Sequence, residues 1–158
     1  MSARSHASID DVDYKLVKLL AMNARQSIRE LARELKLAAS TVHTRLSKLV
    51  KAGVIRRFTV LPDYDVLGYT VTVLILMQVE GGRIVEVGEY LAKSPNVIAV
   101  YDITGDYDLA VVAKFRSVSE LDKFIKAVNK LPAVKRTVTS LALRAIKEDP
   151  ASPLTAEA

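Results

Sequence analysis

The sequence predicts an α+β protein of two domains, the first helical and the second an alternation of strands and helices. Apolar residues recur at helical spacing up to about residue 52 and in extended runs after residue 70. Charge divides in the same way, because residues 1–60 hold 12 Lys and Arg against 5 Asp and Glu, whereas residues 61–158 hold 11 against 13. A Lys-x-Pro-x-Val motif that occurs at 93–97 and again at 130–134 indicates two similar units in the second half.

The first domain is predicted to contain three helices and a strand. Asp10 or Asp11 can cap the first helix and Ser27 the second, because short acceptor side chains bind the free amides of a first helical turn. The third helix is expected to begin at Ser40, and a strand follows over Val54–Val60. Helix, helix, short turn, helix and strand in this order are typical of a winged helix-turn-helix.

The second domain is predicted to contain two β-α-β units in series. Strands are expected over residues 70–79, 97–103, 109–115 and 134–143. This order gives the ferredoxin-like βαββαβ fold, one antiparallel sheet with two helices on one face. The other face must carry apolar residues, so we expect it to pack against a second copy of the chain. The predicted segments are a winged helix-turn-helix domain at 1–62, a linker at 63–69, the sheet domain at 70–147 and a mobile tail at 148–158.

Composition excludes several classes of protein. No apolar stretch approaches the roughly 20 residues that a membrane-spanning helix needs, and the first residues lack the apolar core of a secretion signal. Without cysteine and with two histidines, the chain has no material for thiolate chemistry and little for histidine chemistry. These features fit a cytoplasmic protein with no membrane partner. We also expect that the protein is not an enzyme and has no catalytic residue, metal or cofactor.

The third predicted helix has a polar and basic face opposite its apolar one. Between Lys36 and Pro62 the chain carries six cations and no acid. Such a face is typical of a helix that enters the major groove of double-stranded DNA, where hydroxyls and histidine reach base edges and cations pair with phosphate. The predicted DNA-binding residues are Ser40, Thr41, His43, Thr44, Arg45, Ser47, Lys48 and Lys51, with Arg56 and Arg57 on the wing.

The sequence also allows interpretations of this helix that do not involve DNA. Any solvated surface helix has a polar face, and Arg45 lies on the flank nearer the core, where an ion pair with Glu30 or Glu34 is as reasonable as a phosphate contact. We favour DNA binding because the acid-free run coincides with the three-helix spacing.

The segment Thr104–Asp108 has two carboxylates and a tyrosine after a glycine. Two aspartates two residues apart in a tight turn do not face each other across a cleft, as a glycosidase pair does, and the further oxygen ligands of a calcium loop are absent. The residues alone favour a hairpin turn, with Gly105 at positive φ and Asp106 or Asp108 accepting from free backbone amides.

A series of short motifs resembles the Lrp/AsnC family, the feast/famine transcriptional regulators. In the first half they are Ile9-Asp10-x-x-Asp13, Asn23-Ala-Arg25, Glu30-Leu-Ala32, Ser40-Thr-Val42, Arg45-x-x-x-Leu49 and Gly53-Val-Ile55. In the second half they are Pro95-x-Val97, Thr104-Gly-Asp-Tyr-Asp108 and Pro132-x-Val134, so that the likeness covers about residues 9–147. Where the family usually has Gly-Leu-Ser, this chain has Lys36-Leu37-Ala38, so the cap of the third helix must move to Ser40 or be lost.

The resemblance implies more than the residues do alone. It implies a regulator whose second domain, called RAM, binds a small-molecule effector, often an amino acid, between subunits. It also implies a homodimer formed through the sheet, with further assembly into a tetramer or octamer. Carried over to this chain, the effector-binding residues are Gly105, Asp106, Tyr107 and Asp108, with Thr137, Thr139 and Ser140 as companions on the last strand.

Two rival functions fit parts of the pattern. Some haem-biosynthesis decarboxylases resemble this two-domain layout, but they need basic or histidine side chains around a tetrapyrrole, and residues 61–158 contain no histidine and are net acidic. A metabolite-binding oligomer that does not bind DNA is the other alternative, and the basic third helix argues against it.

Overall fold

The computed structural model describes residues 8–155, and the chain divides into two compact units. One unit runs to Leu61 and resumes at Glu148, and the other is Pro62–Lys147. The first seven residues of the predicted winged domain and the last three of the predicted tail lie outside the described residues.

The first unit is built on three helices, α1 (Asp11–Met22), α2 (Ile28–Leu35) and α3 (Ala39–Lys51). The predicted caps of α1 and α2 are confirmed: Asp10 and Ser27 each accept from the backbone amide three residues on, and the side chain at that position bonds back to the cap amide. The apolar stripes of the three helices meet in one core. Its buried members are Leu16, Leu20, Leu31, Ala32, Val42 and Leu49.

Two details of this unit differ from the prediction. α3 begins at Ala39, and its N-cap Ala38 makes no side-chain hydrogen bond, so the cap is lost and does not move to Ser40. The predicted strand Val54–Val60 is not formed, because a single extended segment needs a hydrogen-bonded partner and none lies beside it in the described chain. Val54 and Ile55 instead pack against the helical core, and the residues that follow them are exposed.

The second unit has the predicted βαββαβ order. Its elements are β1 (Val71–Val79), α4 (Ile84–Ala92), β2 (Val97–Asp102), β3 (Leu109–Phe115), α5 (Val118–Asn129) and β4 (Val134–Leu141). The strands form one sheet in the order β2-β3-β1-β4, and every neighbouring pair is antiparallel. The α+β class and the ferredoxin-like topology are therefore confirmed, with strand ends within two residues of those expected.

The sheet has one covered and one uncovered face. Along β1, residues with odd numbers such as Ile75 and Met77 are fully buried in the core that includes residues of α4 and α5. Residues with even numbers point the other way, and Leu74 is 43% exposed. We call this second surface the open face; it includes Leu74, Leu76, Val112 and Val138.

The predicted linker is a folded part of the second unit. Tyr69 donates its amide to the Tyr64 carbonyl at 2.8 Å, and the two rings meet edge to face. Lys114 Nζ lies 5.1 Å from the centre of the Tyr64 ring, and the Arg116 guanidinium lies 4.4 Å from that of Tyr69. These cation–π contacts stabilise the packing of residues 64–69 against the end of β3.

The segment predicted to be a mobile tail belongs to the first unit from Glu148 onward. A single helical turn, α6 (Ser152–Thr155), lies against α1. Asp149 stabilises this turn by accepting from the Ala151 amide at 2.9 Å, and Leu154 is half-buried. The sequence analysis did not anticipate this turn, because its position against α1 does not depend on periodicity within the tail.

Candidate DNA interface and effector turn

The exposed face of α3 brings together most of the residues predicted to bind DNA. Val42 and Leu49 anchor the inner side of the helix at 2% exposure or less. On the outer side Ser47 is half-buried, and the other predicted residues before Lys51, apart from Arg45, are exposed: Ser40, Thr41, His43, Thr44 and Lys48. Arg56 and Arg57, beyond the end of the helix, are exposed too. Lys51 is exposed as well, at the end of α3.

A shallow depression runs along the second half of this face. It is lined by His43, Thr44, Ser47, Lys48, Lys51 and Ala52. The Thr44 hydroxyl donates to the Ser40 carbonyl at 2.9 Å, which leaves its oxygen able to accept. Neither lysine has an ion-pair partner among residues 8–155, so both ammonium groups are available to an anion.

Arg45 has a different environment from the other cations of α3. Its Nη1 donates to Asp10 Oδ2 at 2.7 Å and to Asp13 Oδ1 at 2.8 Å, and the Asp13 side chain is 2% exposed. The predicted alternative of an ion pair is confirmed in kind but wrong in its partners. Glu30 instead caps α2, and Glu34 accepts from the side-chain amide of Gln26 at 2.6 Å.

The same cluster shifts two pKa values. Hydrogen bonds from the Asp13 amide and then from Arg45 lower the pKa of Asp10. Hydrogen bonds to Asp13 and Asp10 raise the pKa of Arg45. Both shifts favour the ionised pair, so this arginine is engaged in joining α3 to the start of α1.

The turn between β2 and β3 holds the four predicted effector residues. Gly105 has φ +110°, a conformation that favours glycine, as the sequence predicts. Asp108 accepts from the Val79 amide at 2.7 Å through its carboxylate, and its own amide donates to the Met77 carbonyl at 2.9 Å. Asp106 is exposed, and Tyr107 is half-buried. One of the two carboxylates therefore shapes the turn, while the other faces solvent.

The three predicted companions on β4 do not lie together. Thr137 and Thr139 stand opposite Met77 and Ile75, on the helix-covered side of the sheet, and the Thr137 hydroxyl donates to Asn129 Oδ1 at 3.1 Å. Ser140 stands opposite Leu74, on the open face. Sequence alone could not separate them, because the side on which a strand residue lies depends on the register with its neighbour.

Two residues beside the turn were missed in the sequence. Gln78 donates its side-chain amide to the Asp106 carbonyl at 2.7 Å. The exposed Arg136 pairs in register with Gln78 across β1 and β4. Gln78 lies on β1, the neighbour of β3, and Arg136 lies on β4, the next strand along. At the usual spacing of strands, both backbones are within roughly 10 Å of the turn. Only the β1–β4 register, which residue types do not specify, could have identified them.

None of the helices between residues 8 and 155 is long and apolar enough to span a bilayer.

Comparison with known proteins identifies both units. The model of the Lrp/AsnC ligand binding domain matches residues 72–152, and that of a winged helix-turn-helix DNA-binding domain matches residues 9–56. An HTH-type transcriptional regulator of Pyrococcus furiosus is 42% identical over 141 residues, which cover 89% of this chain and 95% of that one. The HTH-type transcriptional regulator FL11 of Pyrococcus horikoshii is 36% identical and covers 92% of this chain and 97% of its own.

A solved structure agrees on the fold. The transcriptional regulator of Neisseria meningitidis in complex with L-methionine superposes with a TM-score of 0.81 at 23% identity, over 93% of this chain and 97% of that one. The chain therefore belongs to the Lrp/AsnC family of transcriptional regulators, with a winged helix-turn-helix DNA-binding domain followed by the family's ligand-binding domain.

Proposed function

We propose that this protein binds double-stranded DNA through the exposed face of α3 and regulates transcription in response to a small effector. The observation that carries the DNA part is the position of Lys48 and Lys51, exposed on a helix whose other side is anchored by Val42 and Leu49. A projecting face with cations and no acid attracts phosphate, and its short hydroxyls let the helix approach base edges closely.

Each side chain has a role in this proposal. Lys48, Lys51 and the two exposed arginines after α3 bind phosphates and fix the register of the protein on the duplex. Ser40, Thr41, His43, Thr44 and Ser47 are the candidates for contacts with base edges. Arg45 is assigned to positioning α3, because two carboxylates already hold it.

For the effector we propose an amino acid bound at the turn between β2 and β3. The exposed Asp106 can accept from an ammonium group, and amides of the Gly105 turn together with Arg136 can hold a carboxylate. Asp108 is assigned to holding the turn against β1. The methionine complex of the Neisseria protein, which shares the fold, makes L-methionine the first compound to test.

We further propose that the open face pairs two copies of the chain and that such dimers assemble further, to a tetramer or octamer. Leu74 is 43% exposed there, and three half-buried aliphatic side chains surround it. A second copy would remove this apolar surface from water. For such a regulator we propose a cytoplasmic location and no catalytic role.

The DNA proposal is tested with the full chain by fluorescence anisotropy of a labelled duplex over a range of salt concentrations. Lys48→Ala should weaken binding to every duplex and reduce the slope of log K against log salt by about one unit, because one phosphate contact is lost. Lys15→Ala removes an equal charge from the exposed side of α1 and should leave the slope unchanged.

Two results would contradict these assignments. A Lys48→Ala variant that loses affinity for one operator only would show that this lysine reads bases. Failure of the unmodified chain to bind duplex DNA even at about 50 mM salt would refute the DNA part altogether, since phosphate contacts are strongest there.

The effector proposal is tested by thermal unfolding in the presence of each of the twenty amino acids. A ligand at 100 times its dissociation constant adds about 2.7 kcal/mol to the free energy of unfolding. Asp106→Ala should abolish the shift, whereas Asp65→Ala, which removes an exposed carboxylate elsewhere in the same unit, should preserve it. No shift with any amino acid would leave the turn a purely structural element.

A further inference from the structure

The chain connects the first unit to the second at two places, after Leu61 and before Glu148. The chain leaves this unit after Leu61 and re-enters it at Glu148, after completing the whole of the second unit. Within the first unit, α6 lies against α1. Residues 148–155 therefore belong to the helical unit, although they follow the sheet in sequence.

Local hydrogen bonds and two prolines restrict the conformation of residues 148–155. The Asp149 carboxylate accepts from the Ala151 amide at 2.9 Å, and the Leu154 amide donates to the Ala151 carbonyl at 2.8 Å. Pro150 and Pro153 fix two backbone angles, which lowers the entropy lost when the segment becomes ordered. A single turn of helix does not persist by itself in water, so packing must hold α6 in place.

The receiving surface is the outer side of α1. At 3.6 residues per turn, Lys18 and Ala21 lie about 160° and about 140° around the helix from Leu16, the fully buried residue of its inner side. Residues so far from the core would normally be exposed, yet both are half-buried, as is Leu154. We assign this burial to α6, the element that lies against α1.

We propose that residues 148–155 form a strap that docks on the outer side of α1 and braces the helix-turn-helix. α1 is the helix at whose start Asp10 and Asp13 hold Arg45, so a brace on α1 also steadies α3. The strap follows β4 in sequence, so the chain enters the first unit from both ends of the second unit. The occupant of the α1 surface is this chain's own C-terminus, and the inference is independent of whether the protein binds DNA.

The test compares the full chain with a chain that ends at Lys147, by hydrogen–deuterium exchange. Loss of the strap should speed amide exchange in the second half of α1 about tenfold and leave the sheet unchanged. A chain that ends at Thr155 keeps every residue of the strap and should exchange like the full chain. Leu154→Asp, which preserves the length of the chain, should give the same direction of change as the truncation.

A peptide of residues 147–158 separates docking from tethering. Added in excess to the chain that ends at Lys147, it should restore slow exchange in α1. Recovery with an untethered peptide would show that docking, and not the covalent connection, protects α1. The proposal is overturned if the truncated and full chains exchange alike in α1, if the peptide gives α1 no protection, or if the truncation loosens the sheet as much as α1.

Discussion

The helices α2 and α3 adjoin in the helix-turn-helix, yet they are held in place by different means. α2 carries its own stabilisation, since the Ser27 hydroxyl accepts from the Glu30 amide at 3.2 Å and the Glu30 carboxylate accepts from the Ser27 amide at 2.6 Å. α3 has no such cap at Ala38. It is fixed instead by Arg45, which reaches carboxylates at positions 10 and 13, more than thirty residues earlier.

This difference suits the two helices to different tasks. A capping box stabilises a helix wherever that helix lies, whereas the ion pairs of Arg45 fix the position of α3 relative to α1. A helix that contacts DNA must keep its position, because base contacts depend on the distance and orientation of short side chains. Under the proposed function, Arg45 would therefore position α3 and not contact DNA itself.

The largest expected effect comes from breaking the long-range contact. Asp13→Ala removes a buried carboxylate that accepts from Arg45 at 2.8 Å, and it should lower the free energy of unfolding of the first unit by about 2 kcal/mol. Chemical denaturation followed by far-ultraviolet circular dichroism measures this loss. Arg45→Ala should be at least as harmful, because it leaves the buried Asp13 carboxylate without its cation.

The matched control is Asp11→Ala, an exposed aspartate on the same helix turn. It should change the free energy of unfolding by less than about 0.5 kcal/mol. Equal losses from Asp11→Ala and Asp13→Ala would show that helix-terminus charge, and not the contact with Arg45, stabilises the unit.

The second unit also contains a bonded and an exposed aspartate close together, Asp108 and Asp106 in the turn between β2 and β3. Asp108→Ala leaves the Val79 amide without its acceptor and should cost about 1.5 kcal/mol, since hydrogen bonds to charged groups are stronger than neutral ones. Asp106→Ala, two residues away and exposed, should cost less than about 0.5 kcal/mol. Thermal unfolding of both variants without ligand makes the measurement, and the reverse order would invalidate the assignment of Asp108 as the structural residue.

The sequence was informative wherever the signal was local. The caps at Asp10 and Ser27, the positive φ of Gly105 and the order of strands and helices each depend on a few adjacent residues, and all are confirmed. The outer face of α3 was also predictable, because helical periodicity alone places Lys51 opposite Val42.

Long-range contacts were where the prediction failed. The partners of Arg45, the opposite faces of Thr137 and Ser140 and the docking of Leu154 all depend on how distant segments meet. The segment after Gly53 failed for a related reason, because its β-branched residues favour a strand but no partner strand is available in the described chain. Composition predicts which side chains a site contains, and tertiary structure decides which of them remain free.

A smaller effect should follow from giving α3 the kind of cap that α2 has. Ala38 has φ −68° and ψ 144°, the extended conformation of an N-cap, so Ala38→Ser should raise the free energy of unfolding of the first unit by about 1 kcal/mol. Ala39→Ser, one residue inside the helix, is the control and should not stabilise it. A neutral Ala38→Ser variant would indicate that the start of α3 gains nothing from a local cap once Arg45 has fixed the helix.

The smallest expected effect is a dependence on pH that separates the two helices. The pKa of Glu30 is lowered from 4.5 by the Ser27 amide, and that of Asp10 from 3.8 by the Asp13 amide and then by Arg45. Both carboxyls are more acidic in the folded state, so each contributes stability above its ordinary pKa, and that stability is lost as the pH falls through the lowered value.

In the Arg45→Ala variant the pKa of Asp10 should rise, because the hydrogen bond and the charge of Arg45 both lower it in the unmodified chain. The pKa of Glu30 should not change, since α2 is capped by its own residues. Titration of the side-chain carboxyl carbons by nuclear magnetic resonance measures both values in one sample. A Glu30 pKa that moved together with that of Asp10 would mean that α2 shares the long-range support of α3, and the contrast between the two helices would not hold.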